Sequence, residues 1–329
     1  MKAKAMLAGV FGVCAVGQVG FALGQLQAVS PYAEIYQRAT NEFAEAVFYK
    51  PAESAAKDLS FSLAPLILQE APAAKEPLSR TDRFGTLSVS TGAPVLDHSR
   101  PAIYWEADAV QVNGKALARF SYVWCYAPDS LEPERVQGMT NAAAGPAKPG
   151  LPLQGIRITL NSAGQPGIWE VLADSSRAKL FFVSQNLEAA AMAEFGKPLP
   201  GRRFAAERSE EAAPDVVVAR VIDDNAVAAG PIVYLSAGTR AMSTLICRCM
   251  PAQAKKLLAA STYDLLPFHT ASTNSLFRQG RLVLPERAAF WPGEDSDGTK
   301  LGASLRLPKA FSHPPAVIRW RLLTAKTAG

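Results

Sequence analysis

The sequence predicts an α+β protein built largely on antiparallel sheet, with a few short helices and one helix near the N-terminus. Three observations carry that expectation. Short runs of alternating apolar residues recur after Arg83, separated by turn residues. Helical spacing of apolar residues appears in only a few segments. The long strand–helix alternation that a doubly wound parallel sheet needs is missing.

Composition sets the outer bounds. The chain has 329 residues, 49% of them apolar and 19% charged, with a formal net charge of +5. A disordered chain needs lower hydrophobicity and higher net charge. A polytopic membrane protein needs more than the one long apolar run present.

That run comes first. Lys2 and Lys4 form a short positive start, Ala5 to Leu23 is apolar and small, and Ala22-Leu23-Gly24 offers the small residues a signal peptidase reads. Residues 1–24 are expected to be a secretory signal cleaved after Gly24, with an uncleaved membrane anchor as the alternative. Cys14 lacks the neighbours of a lipoprotein site. Gly9, Gly12, Gly17 and Gly20 follow no strand, so they do not form a phosphate-cradling loop. Cleavage removes two lysines and no acids, so the net charge falls to +3 over 305 residues. That is far from the concentrated basic field of a nucleic-acid binder.

Ser30 to Lys50 reads as a helix. Ser30-Pro31 is a start signal, Ile35, Ala39, Phe43, Ala46 and Val47 recur at helical spacing, and Pro51 ends the run. Leu59 to Leu68 is apolar and cut by Pro65, and Ala71 to Leu78 reads as a linker. Gly85 to Val89 is a strand closed by Thr91-Gly92. Ile103 to Val112 and Ala116 to Tyr126 form a hairpin through Asn113-Gly114, the dipeptide best suited to a tight hairpin turn. On the second of these strands Phe120, Tyr122, Trp124 and Tyr126 share one face, which packs on another layer or serves as a ligand platform.

Pro128 to Pro152 is rich in Pro and Gly and reads as a loop or boundary. Gly155 to Leu160, Ile168 to Leu172 and Leu180 to Val183 are strand candidates. Asn186 starts a helix through Phe195, closed by Gly196. Val216 to Ile222, Ile232 to Leu235 and Thr244 to Met250 read as strands, and Ala252 to Ala260 as a short helix. Gly280 to Leu284 and Ala316 to Leu323 are again strands. The organisation is thus a leader (1–24), a helical segment with linker (25–79), a hairpin-rich part (80–127), the Pro/Gly stretch (128–152) and a second α+β part (153–329).

The chemistry-bearing residues are few. The mature chain keeps three cysteines, Cys125, Cys247 and Cys249. In a strand Cys247 and Cys249 would share one face and Arg248 the other. The three are the metal candidates, as thiolates on a soft ion. Core hydrophobes, or a disulfide involving Cys125, are the structural readings of the same residues. His98, His269 and His313 show no metal spacing, and a Cys–His pair would need His269 near Cys247 or Cys249. No G-x-S-x-G elbow occurs. Glu106, Asp108, Glu170, Asp223 and Asp224 are the carboxylates near predicted strands. Glu294 to Gly298 resembles part of a calcium loop, but Ser304 stands where a bidentate Glu is required. Arg202, Arg203 and Arg208 form a small basic cluster.

No cofactor motif is present. The expected role is therefore a non-enzymatic binding or structural protein of the cell envelope, exported to the periplasm or beyond. Its partner would be an envelope protein or a small ligand, not nucleic acid, with membrane contact only through an uncleaved leader. The competing expectations are a secreted hydrolase using carboxylates or the Cys247/Cys249 thiols, and a thiolate metal-binding protein.

Overall fold

The computed structural model describes residues 33–40, 42–53, 58–71, 78, 82–90, 93–127, 151–173, 178–208, 216–224, 227–250, 254–268, 282–283 and 295–313. The predicted leader, Cys14, the stretch 128–150, His269 and the predicted strand 316–323 lie outside them. In chain order the elements are α1 (Ala33–Arg38), β1 (Phe43–Pro51), α2 (Leu59–Leu63), β2 (Leu66–Glu70), β3 (Phe84–Ser90), β4 (Ala93–Asp97), β5 (Ala102–Val112) and β6 (Lys115–Tyr126). They continue as β7 (Leu151–Leu160), β8 (Pro166–Ala173), β9 (Lys179–Ser184), α3 (Gln185–Phe195), β10 (Val216–Ile222), β11 (Ile232–Leu235), β12 (Met242–Ile246), β13 (Ala254–Pro267) and β14 (Leu282–Val283). Two short helices, α4 (Thr299–Ser304) and α5 (Lys309–Ser312), complete them.

All fourteen strands belong to one sheet, whose main path runs β10-β9-β8-β7-β6-β5-β13-β1-β2-β11-β12. Its end strands β10 and β12 approach each other, and α1 touches both, so the sheet nearly closes on itself. Arg220 of β10 reaches across to α1, donating to the Ala39 carbonyl at 3.4 Å.

This corrects the expected fold class. The protein is mostly β, and its sheet is mixed rather than largely antiparallel. The meander β5 to β9 is antiparallel, but β1–β13, β2–β11, β5–β13, β9–β10 and β7–β14 pair in parallel. Parallel neighbours here come from distant parts of the chain, so no short sequence window records them.

Strand stands where helix is expected in two places, for identifiable reasons. Of the predicted helix Ser30–Lys50, Ala33–Arg38 is helical as α1, whereas Phe43 to Lys50 belong to β1. Phe43 and Ala46 pack in one cluster outside the sheet while Val47 and Tyr49 point into the main core. Ala46 and Val47 face opposite sides by ordinary strand alternation, and the register shift beside them skips Leu258 of β13. The aromatic content of β1 suits a strand. The predicted helix Ala252–Ala260 is the first half of β13. That half pairs with β1, and Asp264 to Pro267 pair with β5. Pairing with β1 along this half overrides the helix propensity of its Ala, Leu and Lys residues.

The hairpin β5–β6 forms as predicted. Val112 pairs with Lys115, and Asn113 and Gly114 take φ of 50° and 76°, the left-handed pair a tight turn requires. The helix at 185–195 also forms, but its cap is Ser184, whose hydroxyl accepts from the Leu187 amide at 3.2 Å.

The main core fills the concave side of the sheet. Phe120, Tyr122, Trp124 and Tyr126 all enter it, with Ile156, Ile158, Trp169, Phe182, Val233 and Tyr263 from other strands. The aromatic row of β6 is therefore packing surface. Helix α2 enters the same core, held by the Tyr122 hydroxyl on the Ser60 carbonyl at 2.7 Å. The opposite face of β5, β6 and β8 to β10 is covered by α3, α4 and α5 through Val110, Phe181, Leu187, Leu301 and Phe311.

Gly298 fixes the start of that covering segment. Its φ is +72°, and a Cβ there would overlap the Gln111 carbonyl oxygen. The adjoining Ser296 carbonyl accepts from the Gln111 amide at 2.8 Å. Gly298→Ala is expected to destabilise the protein by roughly 2 kcal/mol or more, through backbone strain and loss of this contact. A urea melt checks it; an unchanged midpoint would count against the docking described.

Candidate functional site

The three cysteines do not come together. Cys125 is buried outside the main core, among Leu87, Tyr104, Val123 and Leu153, and burial pushes its thiol well above the ordinary value. Cys247 and Cys249 are bonded to each other. Strand β12 ends at Ile246, short of the predicted Met250. The next four residues make a turn in which the Met250 amide donates to the Cys247 carbonyl at 3.2 Å. The turn sets the two Cα atoms 5.2 Å apart, within disulfide reach. Bonded in this way the pair offers no thiolate to a metal, and no group of three or more His, Cys, Asp or Glu among the described residues is placed to hold one.

The two described histidines are engaged locally. His98 Nδ1 lies 2.8 Å from the Arg83 carbonyl, and His313 Nδ1 lies 3.0 Å from the Ser312 hydroxyl.

The carboxylates meet cations instead of a cleft. Asp108 of β5 receives two 2.7 Å bonds from the Arg119 guanidinium. Glu170 of β8 is 3.4 Å from Arg157 and 3.0 Å from Lys179. Asp295 stands 3.9 Å from Arg119 on the far side. The Arg119 and Arg157 side chains are 2% and 1% exposed, so both guanidiniums are buried, while Asp108 and Lys179 reach the edge of the network at 15% and 11%. Burial alone would raise the Glu170 carboxyl, but Lys179 and Arg157 outweigh it and hold the group below its ordinary range. A carboxylate held ionised in this way is a poor general acid near neutral pH.

Asp223 and Asp224 follow β10. Asp224 accepts from the Asn186 amide at 2.9 Å, anchoring the start of α3. Asp295 accepts from the Lys300 and Leu301 amides at 2.7 and 3.0 Å, so the calcium-like stretch works as a helix cap. Arg202 donates to the Val216 carbonyl at 2.7 Å, and Arg203 lies over the Tyr36 ring at 5.0 Å. Arg208 faces elsewhere, into a groove that the sequence does not announce.

That groove, of about 810 Å³, lies between the end of α3, the tip of the β5–β6 hairpin and the segment 297–309. Glu194, Arg208, Asp297, Arg306 and Lys309 supply its charges and Phe195 part of its apolar wall. Both carboxylates are engaged by backbone. Glu194 accepts from the Lys309 amide at 2.7 Å, and Asp297 from the Thr299 amide at 3.0 Å. Arg306 is held differently. Its Nε donates to the Ala205 carbonyl at 2.8 Å, its guanidinium stacks 4.8 Å from the Phe195 ring centre, and its Nη2 is buried without a hydrogen-bond partner among the described residues. A guanidinium held rigidly at a groove wall is suited to an anionic group.

Arg306 sits alone between Leu305 and Leu307, with no local pattern to mark it. Arg119 and Arg157 did carry a signal, each being a charge within an otherwise apolar strand. No family model matches the chain, and no curated protein or solved structure matches it either.

Proposed function

We propose that this chain is an exported, non-enzymatic binding or structural protein of the cell envelope, and that its groove takes a ligand bearing a carboxylate or phosphate group. One observation carries the ligand class. The acids of the groove accept from backbone amides, whereas the Arg306 guanidinium is held rigidly at the groove wall by the Ala205 carbonyl and the Phe195 ring. Preorganisation of that kind lowers the cost of binding an anion. Export is supported by the leader-like residues 1–24 and by the Cys247–Cys249 disulfide, since disulfides persist in oxidising compartments.

The binding test titrates the purified protein with inorganic phosphate and, separately, with malonate, reading amide NMR shifts. Shifts are expected at residues 194–195 and 305–309, and Arg306→Gln should weaken the response about tenfold. No shift at these positions with either probe would overturn the ligand class. Export is checked by the N-terminal peptide of the protein recovered from its native cells. A start at Gln25 in the envelope fraction is expected, and an intact Met1 in the cytosol would overturn it.

A further inference from the structure

The disulfide is placed as a reactive group and not as a staple. It joins residues two apart in sequence. The entropy a cross-link removes from the unfolded chain grows with loop length, so a loop this short gains least. The turn it spans already has its own hydrogen bond from the Met250 amide to the Cys247 carbonyl.

The two residues differ in access. Cys249 is exposed, while Cys247 is 2% exposed and belongs to the main core with Leu63, Ala64, Tyr122 and Tyr263. Arg248 turns its guanidinium into the same neighbourhood. It donates through Nη2 to the Ala64 carbonyl, and its Nε is buried without a hydrogen-bond partner among the described residues. A cation therefore stands in the apolar surroundings where charge would develop if Cys247 were released as a thiolate.

We infer that Cys247–Cys249 is a site of reversible thiol–disulfide exchange, attacked at Cys249 by a thiol-bearing partner. The incoming thiolate bonds to the Cys249 sulfur, the 247–249 bond breaks, and its electron pair leaves on the Cys247 sulfur, which takes up a proton. The product is a mixed disulfide on Cys249 and a thiol at Cys247. The reverse step, attack of Cys247 on Cys249, expels the partner thiol. With a dithiol partner a second thiolate displaces Cys249, so two electrons and two protons pass to the protein and the partner becomes a disulfide. The exposed residue sets the direction of attack, and Arg248 assists the leaving group.

The inference is independent of the groove and of the compartment, because it is tested on purified oxidised protein. Reduced glutathione, added without denaturant, is expected to open the disulfide, with the Tm changing by no more than about 4 °C. In Cys247→Ser, glutathione disulfide should leave a stable adduct on Cys249, seen by intact mass. In Cys249→Ser, the Cys247 thiol should stay unmodified while the protein is folded. Arg248→Gln should slow opening about tenfold and move the pH profile of ring closure upward, with Arg248→Lys recovering most of the rate. A disulfide that resists glutathione until the protein unfolds, or whose opening itself unfolds the protein, would overturn the inference. So would two free thiols in protein isolated under oxidising conditions.

Discussion

Replacing Arg119 with methionine is expected to lower the unfolding free energy by about 3–5 kcal/mol, the cost typical of breaking a buried ion pair from one side. Arg119 is 2% exposed and faces two acids, Asp108 at 2.7 Å and Asp295, itself 2% exposed, at 3.9 Å. Its removal takes the guanidinium away from Asp295, which is buried, and from Asp108, whose side chain is 15% exposed. The effect should spread, because Asp295 also accepts from the Lys300 and Leu301 amides at the start of α4. Urea unfolding measures it, and a loss below about 1 kcal/mol would mean that the site is wet and the charges screened. Arg119→Met combined with Asp108→Leu should recover much of the loss, since an apolar pair of similar volume replaces a buried ion pair at little cost.

The same network sets an acid limit. In the folded state the Glu170 carboxyl lies below its ordinary range, where Lys179 and Arg157 hold it against the opposing effect of burial. A group whose folded value is depressed contributes stability above its unfolded value and loses it as pH falls through the folded value. Stability attributable to Glu170 should therefore be complete at neutral pH and decline only below the ordinary carboxylate range. In Glu170→Gln that part of the acid decline should disappear, together with overall stability, as Arg157 and Lys179 lose their counter-charge. An acid limb identical in the two proteins would show that Glu170 does not share in it.

Trp124→Ala is the other large effect, expected at about 3–5 kcal/mol for a fully buried indole. Trp124 is 0% exposed in the middle of the main core. Its Nε1 donates to Gln154 Oε1 at 3.1 Å and to the Tyr126 hydroxyl at 3.2 Å, so truncation leaves both a void and an unsatisfied amide oxygen. Trp124→Phe separates the two terms. It keeps most of the packing and should cost only about 1–2 kcal/mol. Had the aromatic row of β6 been a ligand platform, the alanine variant would lose binding and keep its Tm, and the melt decides between these outcomes.

The elements legible in the sequence are those whose cause is local. Asn113-Gly114 dictates a left-handed turn whatever surrounds it, and the alternation on either side supplies the strands. The helix at 185–195 was legible from its start signal and closing glycine, although the cap moved from Asn186 to Ser184. Charges at Arg119 and Arg157, inside apolar strands, were visible but uninterpretable without their partners. Asp108 and Asp295 lie 11 and 176 residues from Arg119 in the chain.

What failed was decided by pairing over distance. Phe43, Ala46 and Val47 recur at a helical spacing, and pairing with β13 and β2 selects the strand. Residues 254–260 favour a helix by propensity, yet they lie in a strand because β1 offers hydrogen-bond partners along them. The Cys247/Cys249 spacing was read within a strand, where the side chains share a face. The turn that follows Ile246 bonds the two to each other and leaves Cys125 in another layer. By itself, then, the sequence determined the local turns, the strand-rich character of the middle of the chain and the residues able to do chemistry. The tertiary structure decided strand direction, which charges meet, and where Arg306 is held. Each of those depends on free energy shared between segments far apart in the chain, and that free energy has no counterpart in any single window of residues.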